Sequence, residues 1–210
     1  MDVIVTKDLC KTYHVGFRRK KVEAVKGLSL KVQQGEVFGF IGPNGAGKTT
    51  AIKMLMGLNR PSSGTATIFG EDCRSVKHKG RIGFLPERPY FYQYLTAWEF
   101  MDFYGRLFGL SSELRKERAR TLLERVDMLH KADVPLRKFS KGMLQRVGMA
   151  QALIGDPELI ILDEPMSGLD PLGRMLIRDI ILDLKAEGRT LLFCSHILSD
   201  VQMICDRVAF

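Results

Sequence analysis

Apolar residues fall into short runs separated by amphipathic stretches. Leu28-Ser29-Leu30-Lys31-Val32 alternates as a half-buried strand does, and Thr65-Ala66-Thr67-Ile68-Phe69 repeats the pattern after the turn Pro61-Ser62-Ser63-Gly64. Leu159-Ile160-Ile161-Leu162 and Leu191-Leu192-Phe193-Cys194 are unbroken apolar runs, the pattern of strands buried on both faces. Between these two runs, Asp170-Pro171 supplies a capping residue followed by a proline suited to the first helical position. The spacing there predicts a helix whose apolar face is Leu172, Leu176, Ile180 and Leu184, with Ile177 and Ile181 beside it, ending at Gly188. Buried strands with helices between them predict an α/β fold.

The middle of the chain reads differently. Thr96-Ala97-Trp98-Glu99 forms a capping box, and Phe100, Phe103, Tyr104 and Leu107 then recur at helical spacing. A highly charged helical segment follows over Ser112 to Val126. The expected organisation is a core of residues 1–88 and 139–210 carrying an inserted helical subdomain over 89–138. Four aromatic residues in Tyr90-Phe91-Tyr92-Gln93-Tyr94 either pack that subdomain or form an exposed docking surface. Asp206-Arg207-Val208-Ala209-Phe210 begins another strand and stops, so the core is expected to be cut short at its C-terminal side.

Composition narrows the class only slightly. A hydrophobic fraction of 45% and a charged fraction of 27% are ordinary for a soluble globular domain. No apolar stretch is long enough to span a bilayer, and the first residues lack a signal-peptide layout. Cys10, Cys73, Cys194 and Cys205 are scattered, with no pair at zinc-ligand spacing, which points to a reduced, cytoplasmic protein. The net charge of +8 peaks at Arg18-Arg19-Lys20-Lys21, read as a solvated hairpin tip. No aromatic residues interleave there to stack on bases, so nucleic acid is not an expected partner.

Chemistry enters with the octet Gly42-Pro43-Asn44-Gly45-Ala46-Gly47-Lys48-Thr49, which fits the phosphate-binding pattern G-x-x-x-x-G-K-[ST] at every fixed position. An apolar strand, Val37–Ile41, runs into it, and Thr50-Ala51-Ile52-Lys53-Met54-Leu55-Met56 continues as a helix. Lacking Cβ atoms, the glycines let backbone N–H groups turn inward around a polyphosphate, and the helix N-terminus adds positive potential. Lys48 reaches the β- and γ-phosphates, and the Thr49 hydroxyl is suited to Mg²⁺. Downstream, the buried run 159–162 ends in Asp163-Glu164, which puts one carboxylate near that metal and the next near an attacking water.

With Phe139-Ser140-Lys141-Gly142-Met143, Ser167-Gly168-Leu169-Asp170 and Ser195-His196, the chain resembles the ATP-binding subunits of ABC transporters over almost its whole length. The resemblance implies a P-loop NTPase core, a mixed sheet flanked by helices with an antiparallel β part, plus the helical insertion. It makes the octet with Thr50 the Walker A loop and Asp163-Glu164 the end of Walker B. Residues 167–170, including Asp170, become the D-loop, and His196 the switch histidine. Tyr13 falls where an aromatic residue stacks on adenine, and Ser140, Lys141, Gly142 and Met143 fall in the signature that meets ATP across a dimer. Glu87, in Ile82-Gly83-Phe84-Leu85-Pro86-Glu87, stands where the family has a glutamine, and Lys141 and Met143 replace a glycine and a glutamine of the usual signature. These forms resemble the bacterial exporters of drugs and sodium.

The implied partners are ATP with Mg²⁺, a second nucleotide-binding subunit (a copy of this chain or a different one), and an integral membrane permease that holds the protein at the inner face of the cell membrane. Two other classes stay open at this level. A DNA-repair or chromosome-maintenance ATPase of the same superfamily would carry coiled coils or zinc modules in the insertion, which here is short and free of both. A regulatory module with weak hydrolysis would not need both Glu164 and His196.

Overall fold

The computed structural model describes residues 1–16 and 20–209; of the basic cluster, Arg18 and Arg19 lie outside the described residues, as does Phe210. The elements are β1 (Asp2–Val15), β2 (Lys20–Gln33), β3 (Val37–Ile41), α1 (Lys48–Leu55), β4 (Ser63–Ile68), β5 (Glu71–Asp72), β6 (Ile82–Leu85), α2 (Ala97–Leu107) and α3 (Ser112–Arg125). They continue with α4 (Lys141–Leu153), β7 (Leu159–Asp163), α5 (Pro171–Ala186), β8 (Thr190–Ser195), α6 (Leu198–Ile204) and β9 (Arg207–Ala209). The chain divides into two compact units, Met1–Lys79 with Thr190–Phe210, and Gly80–Arg189. Both contain parallel strands and helices, and the first adds an antiparallel sheet, which makes the fold α/β with an antiparallel part.

In the first unit the antiparallel sheet runs in the order β2-β1-β4-β5. The alternation in 28–32 is obeyed, with Leu30 and Val32 buried while Ser29 and Lys31 are not. β3 lies between β8 and β9 and is parallel to both. All five residues of β3 and all six of β8 are buried, as expected of strands covered on two faces. The segment that begins at Asp206 does form a strand. It is anchored by Asp206 Oδ2, which accepts from Val37 N at 2.9 Å, and by Arg207, which donates to the buried Glu36 carboxylate at 3.0 Å.

In the second unit β6 and β7 pair in parallel. α4 presses onto β6 at Gly83, where a Cβ would stand 2.1 Å from Ala152 O; only glycine allows that approach. α2 opens with the expected capping box: Glu99 N donates to Thr96 Oγ1 at 3.1 Å, and Thr96 N donates to Glu99 Oε2 at 2.8 Å. α2 and α3 are tied by Asp102, whose carboxylate takes Arg115 Nε at 2.6 Å and Arg106 Nε at 2.7 Å. The Arg115 guanidinium, and then Arg106, hold the Asp102 carboxyl below the usual carboxylate range.

Three sequence expectations need adjustment. The buried stripe of α5 is Gly173, Ile177, Ile180, Ile181 and Leu184, while Leu172 is 72% exposed. Position 173 shares a face with 177, 180 and 184 at a period of 3.6 residues, and 172 lies about 100° off it. Leu107, at the end of α2, is exposed for the same kind of reason, with Gly105 and Met101 taking the inner face. The aromatic stretch is divided between packing and exposure. Phe91 is buried against Phe100 (ring centroids 5.1 Å apart) and Tyr92 meets Phe103 edge-on, whereas Tyr90 and Tyr94 are exposed.

Candidate functional site

The first unit contributes the octet, Tyr13 and His196. β3 delivers the chain into the octet, and Gly47 caps α1 with φ 96° and ψ 0°. A Cβ on Gly47 would lie 2.0 Å from Ala24 O on β2, so both the backbone angle and the contact demand glycine. The loop is closed by Ala46 N donating to Pro43 O at 3.1 Å. Lys48 is buried, and its ammonium donates to Gly42 O and, at 3.2 Å, to Pro43 O. Its charge is therefore held beneath the loop it belongs to. Pro43, Asn44, Gly45 and Ala46 are exposed, and Thr49 and Thr50 are half-buried at the start of α1.

The register of β3 against β8 pairs Ile41 with Ser195. Gly42 and His196 are the next residues on the two strands, so the octet and the exposed His196 leave the same end of a parallel pair. Tyr13, on β1, is half-buried; its hydroxyl accepts from Asn59 Nδ2 at 3.0 Å, and the Lys11 ammonium lies 5.1 Å from its ring centroid.

The second unit repeats the arrangement with acids. Leu85, the last residue of β6, pairs with Leu162 on β7; Glu87 lies in the loop after β6, Asp163 ends β7 and Glu164 follows it. Asp163 is 1% exposed and Glu164 8%, while Glu87 is half-buried, with Arg88 Nε 3.9 Å from its carboxylate. Glu164 adopts φ 53°, a left-handed backbone angle that is uncommon away from glycine.

Ser140 caps α4, its hydroxyl accepting from Met143 N at 3.3 Å. The neighbouring Lys141 turns toward its own chain, with Nζ 3.4 Å from Ser167 Oγ. Met143 receives Lys131 Nζ at 4.0 Å from its sulfur. Asp170 caps α5 through Gly173 N at 2.9 Å, and Arg146 stands between Asp127 (3.1 Å) and Asp170 (3.9 Å). Ser140, Lys141, Gly142, Met143 and Asp170 line one groove of about 540 Å³ with Arg146. The structure thus brings the signature and D-loop positions together in the second unit.

One residue absent from the sequence-based candidates belongs to this region. Gln145 on α4 is 2% exposed, and its side-chain amide donates to Pro165 O at 3.1 Å and to Glu164 O at 3.4 Å. A glutamine two positions before the buried run Val147-Gly148-Met149-Ala150 was the available signal. A buried polar side chain in such company requires a partner.

Known proteins resemble this chain. The sequence model of the family described as ABC transporter matches residues 25–167. An uncharacterized ABC transporter ATP-binding protein of Synechocystis sp. is 53% identical over 99% of this chain and 60% of its own length. The Nod factor export ATP-binding protein I of Ralstonia nicotianae is 38% identical over 92% of this chain and 61% of its own. The ABC transporter ATP-binding protein NatA of Bacillus subtilis is 42% identical over 91% and 79%. The chain thus spans about 60% of the length of the Synechocystis and Ralstonia relatives. Among solved structures, the dimeric bacterial ABC transporter cassette MJ0796 superposes with a TM-score of 0.89 at 26% identity, covering 98% of this chain and 92% of that one. The same cassette in a post-hydrolysis state bound to ADP and Pi gives 0.88 at 25% identity, with the same coverage. An octet with the phosphate-binding pattern and Asp163-Glu164, each at the end of a buried parallel strand, and these relatives lead to one conclusion: the chain belongs to the ABC transporter family and carries its ATP-binding cassette.

Proposed function

We propose that this chain binds and hydrolyses ATP to energise an exporter, through a separate membrane-embedded permease. The observation that carries the reading is the pairing of strand ends, Ile41 with Ser195 and Leu85 with Leu162, beyond which lie the octet, His196, Glu87 and Asp163-Glu164. Open α/β sheets gather their ligands at the carboxyl ends of parallel strands.

Lys48 and the N–H groups of the loop hold the phosphates. The resemblance to ABC ATP-binding subunits assigns Mg²⁺ to the Thr49 hydroxyl and the carboxylates of Asp163 and Glu87, hard oxygens of the kind that ion takes. Bound there, Mg²⁺ would offset charge on the phosphate oxygens. Glu164 accepts a proton from the attacking water as its oxygen bonds to the γ-phosphorus and the bond to the bridging oxygen of ADP breaks. His196 donates a hydrogen bond toward the γ-phosphate, and Tyr13 stacks on adenine.

The signature groove, with Ser140 and Gly142 at the start of α4, faces the nucleotide of a second subunit in a head-to-tail dimer. The dimeric cassettes among the structural neighbours support this arrangement. No helix among the described residues is long and apolar enough to cross a membrane. In this reading the chain is held at the inner face of the cell membrane by the permease, contacted by the helical insertion 89–138 and the Glu87 region of the core. The Nod factor export relative supports the export direction.

The deciding experiment is Glu164→Gln in the full-length protein. ATP binding should persist while turnover falls by roughly 10²–10⁴. Wild-type turnover in that variant would remove Glu164 from the mechanism.

A further inference from the structure

Glu164 is held in an unfavourable backbone conformation, and something must hold it there. The left-handed angle of φ 53° is strained in a residue bearing a side chain. Such strain persists only where the surroundings over-determine it. Three hydrogen bonds among the described residues bear on this turn. Ser167 N donates to Glu164 O at 3.0 Å, which closes the turn from its own chain. Gln145 Nε2 donates to Pro165 O at 3.1 Å and to Glu164 O at 3.4 Å, reaching it from α4. Gln145 is 2% exposed, so water does not replace its amide if it is lost.

From this geometry we infer that Gln145 is a positioning residue: its buried amide grips the Glu164 and Pro165 carbonyls and thereby aims the Glu164 carboxylate. The backbone angle at 164 sets where that side chain leaves the chain, so a relaxed turn swings the carboxylate away from the water it must meet. A displacement of about 1 Å in a reacting group is enough to cost on the order of 10²-fold in rate. The inference rests on the role proposed for Glu164.

The test is a double-mutant cycle on the full-length protein, read as ATP affinity, kcat and melting temperature. Gln145→Leu removes the donor at similar volume; Gln145→Met does so with a more adaptable side chain and stands in if the leucine variant folds poorly. The expected result is a kcat lowered about 10- to 100-fold with ATP affinity within about twofold of the parent. In the Glu164→Gln background the same substitution should lower the residual turnover no further, because no carboxylate remains to aim. A full multiplicative loss there, or ATP affinity falling in step with kcat, would show Gln145 to be merely structural. If Glu164→Gln abolishes turnover while both Gln145 variants keep wild-type kcat, the positioning role alone is wrong. If Glu164→Gln itself turns over normally, the underlying reading of the site fails first.

Discussion

The Lys141 ammonium sits 3.4 Å from Ser167 Oγ, and its methylene stem passes over Gly168, where a Cβ would come within 2.7 Å of it. The lysine that departs from the usual signature is therefore directed at the loop of its own subunit. An exposed contact of this kind contributes little, about 0–1 kcal/mol. Lys141→Gly is expected to shift stability by less than about 1 kcal/mol. It should also leave the salt dependence of ATP-driven dimerisation, measured in the Glu164→Gln background, unchanged. A marked loss of dimer confined to low salt would mean that the ammonium serves a facing phosphate instead.

Lys48→Ala removes the one octet side chain that carries a charge. ATP affinity should fall tenfold or more, about 1.4 kcal/mol per decade, in a nucleotide titration. Unchanged affinity would rule out the octet as the phosphate cradle.

Gly47→Ala tests the loop rather than the charge. The added methyl meets Ala24 O at 2.0 Å and sits on a backbone with φ 96°. Thermal melts should show destabilisation by more than about 1 kcal/mol, together with weakened ATP binding. A variant as stable as the parent would mean that the loop and β2 separate freely.

Ser140→Arg addresses the proposed dimer. The variant should bind ATP as a monomer yet neither dimerise nor hydrolyse. Mixing it with Glu164→Gln subunits should restore turnover above either alone, because one composite site then holds an intact Glu164 and an intact facing Ser140. Absence of recovery in the mixture counts against a site shared between subunits.

Acid stability offers a check on the helical pair. Asp102 has its pKa depressed in the folded state by Arg115 and Arg106, so its contribution is present above the ordinary carboxylate range, about pH 4. That contribution is lost as pH falls through the folded-state value. Asp102→Asn should lower stability at neutral pH, and the deficit should shrink on acidification below about pH 4. A deficit constant across that window would mean that the carboxylate is not the stabilising form.

Much of the fold was legible because strands and caps are local. The runs 159–162 and 191–194 could be nothing but buried, and Thr96 with Glu99 announces its own helix start. The octet was legible because its chemistry is written in consecutive residues. Leu172 and Leu107 were misjudged because several helical faces compete when apolar residues are plentiful, and only packing decides which turns inward. Gln145 escaped for a different reason. Its partners are carbonyl oxygens of a turn some twenty positions away, and main-chain oxygens leave no mark in a sequence.

α4 joins two places that the proposed chemistry keeps apart. Ser140 caps its start, and about 7.5 Å along the axis from that cap Gln145 holds the Glu164 turn. In the proposed head-to-tail arrangement these two positions serve different ATP molecules. Linkage then makes the helix a two-way lever. Any share of one nucleotide's binding free energy that depends on how α4 is held would change the other's affinity, and by the same amount in return. Two nucleotides so connected would not bind independently, and the second would be bound with an affinity already altered by the first.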